Sequence, residues 1–209
     1  VVCETLYSQY KRLDLTKNVH VAPLGVDLSI FNTTKKSESS STRFINIGKW
    51  EYRKGHDILV EAFNKAFELE DNVELYMMNH NPFLNKEQER EWVDLYKTSK
   101  LADKITILPR VSTHSQVAEI MSQMDCGVFP SRAEGWNLEA IEMLAMGKQM
   151  IITGQGSWAE IGESQVDVMV EYMRKVHDSG KIVNEAGIET GKKFSWANSA
   201  KQIFAKVSV

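Results

Sequence analysis

In residues 130–148, PSRAEGWNLEAIEMLAMGK, two carboxylates, Glu134 and Glu142, flank what reads as a helix start. The stretch follows CGVFPS, an apolar run with the composition of a buried strand. Asn137 is a good N-cap for a helix whose apolar face carries Leu138, Ile141, Leu144 and Ala145. Glu142 follows Leu138 by one helical turn and shares its face. A carboxylate there must be paired or turned to a polar ligand, because burial without a partner costs several kcal/mol. At a rise of about 1.5 Å per residue the two carboxylates stand roughly 10 Å apart, with the N–H groups of the helix start between them. Amides for an anion and glutamates for hydroxyls suit a ligand with phosphate in its middle and hydroxyls at both ends, the shape of a nucleotide-sugar. The spacing is met equally by two solvated glutamates, or by glutamates paired with a nearby lysine.

The second segment, NIGKWEYRKGHD (46–57), ends an apolar strand at Gly48 and delivers Lys49, Arg53 and Lys54 before the next helix. Three cations at a strand's C-terminal end could neutralise a diphosphate leaving group through charge-assisted hydrogen bonds. The same residues serve as well in a solvated turn, with Glu51 pairing a lysine. His56, just after Gly55, reads as a helix-start residue and not as a base. His80 and His114 fall in loops without a partner acid at a telling spacing.

Holding such groups in place requires a sheet. The runs RFINIG (43–48), NVELYMMN (72–79), KITILPRV (104–111), CGVFPS (126–131) and QMIITG (149–154) read as strands. Between them lie segments of helical spacing: 55–70, where Ile58, Leu59, Ala62, Phe63, Ala66 and Phe67 share a face, then 86–99, 115–124 and 137–147. This alternation predicts an α/β fold, a doubly wound parallel sheet of Rossmann-like type, with ligands at the C-terminal ends of the strands. Two more helical segments fall near 165–177 and 181–206, with no clear sixth strand in 154–165. Residues 18–32 read as a short alternating strand ending in a Pro and Gly bend, and 33–42 as a polar surface loop. Trp92 and Trp196 read as core residues, leaving Trp136 as the tryptophan of the site.

Composition bounds the rest. The 209 residues, 43% hydrophobic and 25% charged, can bury a real core. A net charge of -3 gives no basic field for a nucleic-acid partner. Cys3 and Cys126 are far apart in sequence and read as free thiols of a reducing, cytoplasmic compartment. No stretch approaches the roughly 20 apolar residues of a membrane span, and no metal-ligand spacing appears. The chain starts at Val1, which reads as part of a longer protein.

Taken together, the two segments resemble the C-terminal, nucleotide-binding half of GT-B glycosyltransferases, in particular the large family 4 of retaining enzymes (glycosyl transferases group 1). Glu134 and Glu142 meet the family's E-x7-E motif, and GKWEYRKG meets its GR-x4-KG pattern. The likeness runs from VAPLGVDLSIF, which looks like the interdomain linker, to FSWANSAKQIF near the end. It implies that residues 1–32 are linker and the end of an N-terminal half, that 43–180 form the donor-binding Rossmann-like domain, and that 181–209 form a C-terminal helix.

The resemblance also assigns roles. Lys49 and Lys54 would grip the donor diphosphate and stabilise the charge that develops as it departs, with Glu134 approaching the donor sugar. Lys49 stands where the family usually has arginine, and an ammonium does not replace a bidentate guanidinium, so Arg53 would share its task. Glu142 matches the glutamate that holds the ribose. Gly48 ends the strand, and Gly135, Trp136, Asn137 and Leu138 form the loop whose amides face sugar and phosphate. Arg110 and Val111 match the place that receives the nucleobase, and Glu160 a recurring family glutamate. Departures are Asn137 where glycine is common, MMNHNPF where the second strand's end usually contains glycine, and a few tens of residues fewer after SWAE.

The implied activity is transfer of a sugar from a UDP-, GDP- or ADP-sugar to an acceptor (glycan, lipid or protein), with no further cofactor and no metal. The full-length enzyme would be cytoplasmic and peripheral to a membrane, and this half alone inactive. A nucleotide-sugar epimerase of the same fold and a non-catalytic nucleotide-sugar-binding module are the alternatives. Paired carboxylates alone would also serve a glycoside hydrolase.

Overall fold

The structure, a computed structural model, describes residues 10–14, 20–32, 35–153 and 163–207. Strand β1 (Thr42–Gly48) alternates its side chains, sending Phe44 to one core and Ile45 and Ile47 to another across the sheet. It pairs in parallel with β2 (Val73–Asn79), from Thr42 opposite Val73 to Gly48 opposite Asn79. On its other side it pairs with β4 (Cys126–Phe129). β3 (Ile105–Ile107) lies outside β2, and β5 (Gln149–Ile152) outside β4. The five strands therefore run β3-β2-β1-β4-β5. All are parallel and apolar because helices cover both faces.

Helices α1 (His56–Ala66), α2 (Lys86–Lys97) and α5 (Glu163–Asp178) cover the face that buries Phe44, Leu75 and Val128. Helices α3 (His114–Ser122) and α4 (Leu138–Ala145) cover the other, with Ile45, Ile47 and Phe129 beneath them. The starts of α2 and α3 are fixed by reciprocal caps, Asn85 with Gln88 and Thr113 with Gln116. After β3 the chain crosses back to lay β4 beside β1. The sheet order thus reverses between these two strands, and a crevice opens at their C-terminal ends.

Three expectations are corrected. Residues 20–32 form no strand; they make an isolated bridge, Val26 to Ser195, with Val26 N–H donating to Phe194 O and Trp196 N–H to Val26 O. Pro23 has no N–H for a ladder, and a side chain at Gly25 would meet the Trp196 backbone at 2.3 Å. Val26 and Phe31 of this segment are buried in the core. The same bridge splits the expected C-terminal helix into α6 (Glu185–Lys193) and α7 (Trp196–Val207). Trp196, at that break, is 47% exposed and not a core residue. Trp92 does pack on the core, stacked with buried Trp50 at 6.3 Å.

β3 is shorter than the apolar run 104–111, since Pro109 cannot extend its ladder. Cys126 is buried and free. Cys3, Glu160 and most of the glycine-rich segment after β5 lie outside the described residues. Among those described, no helix is long and apolar enough to cross a membrane.

Candidate functional site

The site is built where two loops meet above β1 and β4. After Gly48 the chain makes a 3-10 turn at Tyr52–Lys54, which Gly55 ends at φ 71°. A Cβ on Gly55 would stand 2.0 Å from the Pro130 carbonyl, so only glycine lets the first loop press against the end of β4. Arg132 N–H donates to Arg53 O at 2.8 Å. The Arg132 guanidinium lies 3.9 Å over the Tyr52 ring and grips Asp57 with two bonds of 2.7 and 2.8 Å. This clasp holds one loop to the other.

Their charged side chains then converge. Lys54, buried, donates from Nζ to Glu134 Oε1 at 2.6 Å, and Arg53 Nη1 donates to Oε2 at 2.9 Å. Ser131 Oγ adds a bond of 2.8 Å to Glu134. Arg53 also reaches the Ala133 carbonyl at 2.7 Å and Glu51 at 2.9 Å. Burial pushes the Glu134 carboxyl up, but the hydrogen bonds and charges of Lys54, Ser131 and Arg53 outweigh it and hold it below the ordinary value. Glu134 is therefore an anion at neutral pH. Lys49 is exposed, with its ammonium 5.2 Å over the Phe83 ring and no carboxylate partner among the described residues.

These groups line a cavity of about 520 Å³, a size that suits a small organic ligand. Its wall joins Gly48, Lys49, Arg53 and Lys54 to Glu134, Trp136 and Leu138, with Asn79 at the end of β2, His80 just after it, and Arg110 and Val111 beyond β3. Asn137 caps α4 by accepting from Ala140 N at 3.0 Å, as its position predicts. Gly135 is exposed, with open space around it. Trp136 packs on Phe194 at 5.3 Å.

Glu142 is placed differently from Glu134 and the three predicted cations. It does not line this cavity, whereas Glu139, one turn earlier on α4, does. Glu142 is half-buried, and no hydrogen-bond or ion-pair partner is found for it among the described residues. Burial, helped by the nearby charge of Glu139, pushes its carboxyl up to about 8. Gly135 and Asn137 also lie off the cavity wall.

Some residues of the site escape sequence reasoning. His56 is not a surface decoration: it is fully buried beneath Trp50, Trp92 and Tyr96. Its Nε2 stands 2.9 Å from the Lys49 carbonyl, so Nε2–H donates and tethers the cation-bearing loop. The Tyr96 hydroxyl lies 3.2 Å from Nδ1 and 3.1 Å from the His56 carbonyl. Burial lowers the imidazole to about 4, which keeps it neutral. The Arg132–Asp57 clasp left no spacing signal. Asn46, a polar residue within the apolar run FINIG of β1, left a clear one.

Comparison with known proteins identifies the family and the fold. The family model described as Glycosyl transferases group 1 matches residues 41–184, which span the sheet and both loops. Among solved structures, sucrose-phosphate synthase (tll1590) from Thermosynechococcus elongatus aligns at TM-score 0.79 and 18% identity, over 98% of this chain and 56% of that one. The C-terminal domain of a glycosyl transferase group 1 family protein (LpcC) from Francisella tularensis aligns at 0.59 and 15%, over 86% of this chain and 98% of that domain. Anabaena Alr3699/HepE, solved with UDP-glucose, aligns at 0.68 and 16%, over 88% of this chain and 56% of that one. No curated protein sequence matches. The chain spans little more than half the length of the first of these structures, and the fold they share is the Rossmann-like half of a GT-B protein. With the family model covering the sheet, both motif loops and the crevice between them, this chain belongs to the glycosyl transferases group 1 family.

Proposed function

We propose that this chain is the donor-binding domain of a retaining glycosyltransferase that takes a sugar from a nucleotide-diphosphate sugar. The observation that carries the reading is the Lys54–Glu134 pair, with Arg53 and Lys49 beside it, at the mouth of the crevice where the strand order reverses. In the free domain Glu134 satisfies two of these cations. An arriving diphosphate offers them stronger partners and frees the carboxylate to accept from sugar hydroxyls. Lys54, Arg53 and Lys49 then stabilise the charge that develops on the departing diphosphate, together with the amides at the start of α4.

Glu142, whose carboxylate has no partner among the described residues, is the group that would accept from the ribose hydroxyls, and Val111 lies where the base would rest. UDP-glucose is the ligand named for Anabaena Alr3699/HepE, which supports a nucleotide-sugar here. The acceptor, whether glycan, lipid or protein, would enter against a second Rossmann-like domain, so this domain alone should bind donor and turn over little of it. Calorimetric titration with UDP, GDP and ADP tests the reading. It expects binding of at least one, and it fails if Lys54→Ala and Glu142→Ala leave the heats unchanged.

A further inference from the structure

Among the described residues, two buried polar atoms of cavity-lining side chains have no hydrogen-bond partner: Asn79 Oδ1 and Trp136 Nε1. Asn79 ends β2 and is only 5% exposed. A buried amide oxygen without a partner is rare enough to need an explanation, and a ligand is one.

The orientation of this amide follows from its neighbours. Asn46 Nδ2 lies 2.6 Å from the Val128 carbonyl, which can only accept, so the nitrogen of Asn46 must face it. The oxygen of Asn46 then faces Asn79 and can only accept in turn. Asn79 therefore presents Nδ2 to it, at 2.8 Å, and its Oδ1 is left over. Either amide reversed would set oxygen against oxygen or nitrogen against nitrogen. The relay from β4 through β1 to β2 fixes the unpartnered atom at the end of β2 as an acceptor.

We propose that Asn79 is a specificity-determining residue whose Oδ1 accepts a hydrogen bond from the nucleoside half of the donor; this rests on the donor-site reading above. An acceptor cannot hold phosphate, so the diphosphate belongs elsewhere. Asn79 lies in register with Gly48, and His80 N–H donates to Gly48 O at 3.1 Å, so it stands one strand from the Lys49, Arg53 and Lys54 cluster on the side away from Glu134. With diphosphate on those cations and sugar toward Glu134, an extended ligand carries its nucleoside across β2 toward Arg110 and Val111. The groups that could donate there are a ribose hydroxyl and a base N–H.

The test titrates the wild-type domain and Asn79→Ala with UDP, GDP, ADP and inorganic pyrophosphate. Asn79→Ala should weaken the tightest-binding nucleotide about three- to tenfold and leave pyrophosphate unchanged. Asn79→Thr, which suits a strand and carries no carbonyl, should do the same and serves if the alanine variant does not melt cooperatively. The 2′-deoxy and 3′-deoxy forms of that nucleotide identify the donor. If it is a ribose hydroxyl, one deoxy form binds wild type more weakly and the variant no better or worse than its parent. If it is a base N–H, both forms keep the parent's wild-type to variant ratio. Equal nucleotide affinity in wild type and variants, or an equal loss for pyrophosphate, overturns the assignment. Failure of the wild type to bind any of the three nucleotides instead overturns the donor-site reading itself.

Discussion

Lys54 and Glu134, 80 residues apart in the chain, meet at 2.6 Å and line the cavity as a largely buried ion pair. Removing Glu134 leaves Lys54 desolvated and without its carboxylate, whereas removing Lys54 leaves Glu134 still bonded to Arg53 and Ser131. Glu134→Ala should lower stability by about 3 kcal/mol, Lys54→Ala by less, and the double variant by clearly less than the sum. Urea unfolding of all four proteins measures the coupling, and strict additivity would deny the pair any energetic role.

The closeness of the loops rests on Gly55. Gly55→Ala must accept a left-handed backbone and displace the Pro130 carbonyl, so a loss of at least about 2 kcal/mol is expected. Nucleotide binding should fall with it, because Lys54 is the preceding residue. Thermal melting with and without nucleotide checks both effects.

Much of this was readable in advance, because it is written locally. Strands and helices follow periodicity, Asn137 announces its cap, and both motifs occupy contiguous stretches at fixed spacing. What sequence could not show depends on register and on contacts between distant segments. The pairing of Lys54 with Glu134 depends on how close Gly55 lets its loop approach Pro130. The Asn46–Asn79 relay exists because Gly48 stands opposite Asn79 and β4 adds the Val128 carbonyl. Residues 18–32 alternate like a strand, but over the described 20–32 Pro23 and the contact with Phe194 and Trp196 decide otherwise. His56 looked like a helix-start residue, and only the fold shows three aromatic rings packed around it.

Two buried groups give opposite pH dependences. His56 titrates at about 4 when folded and near its ordinary 6.5 when unfolded, so the unfolded chain holds the extra proton and stability rises with pH between those values. Glu142 titrates at about 8 when folded against 4.5 when unfolded, so the folded chain holds the extra proton and stability falls as pH rises across that span. Each slope is about 1.4 kcal/mol per pH unit. They offset one another from pH 4.5 to 6.5, and the unliganded domain should lose stability from pH 6.5 to 8. His56→Gln should extend that fall down to pH 4.5, and Glu142→Gln should replace it with a rise from pH 4.5 to 6.5. Urea midpoints across this range report both.

Glu142 should also link ligand to protons. With its carboxyl pushed up to about 8 it is protonated at neutral pH, and ribose hydroxyls donating to it favour the anion. Nucleotide binding near pH 7 should release protons, and affinity should rise with pH up to about tenfold per unit. Calorimetry in two buffers of different ionisation enthalpy, neither of them phosphate, separates this proton transfer from binding, and Glu142→Gln should abolish it.

The central claim is that Lys54, with Arg53 and Lys49 beside it, forms a diphosphate site that the free domain fills with Glu134. Titration of the wild type and Lys54→Ala with UDP, GDP and ADP tests it most directly. The account predicts saturable binding of at least one nucleotide, weakened at least tenfold by Lys54→Ala in a variant that still melts cooperatively. Wild-type protein that binds none of the three, or a folded Lys54→Ala that binds as tightly as wild type, would contradict it.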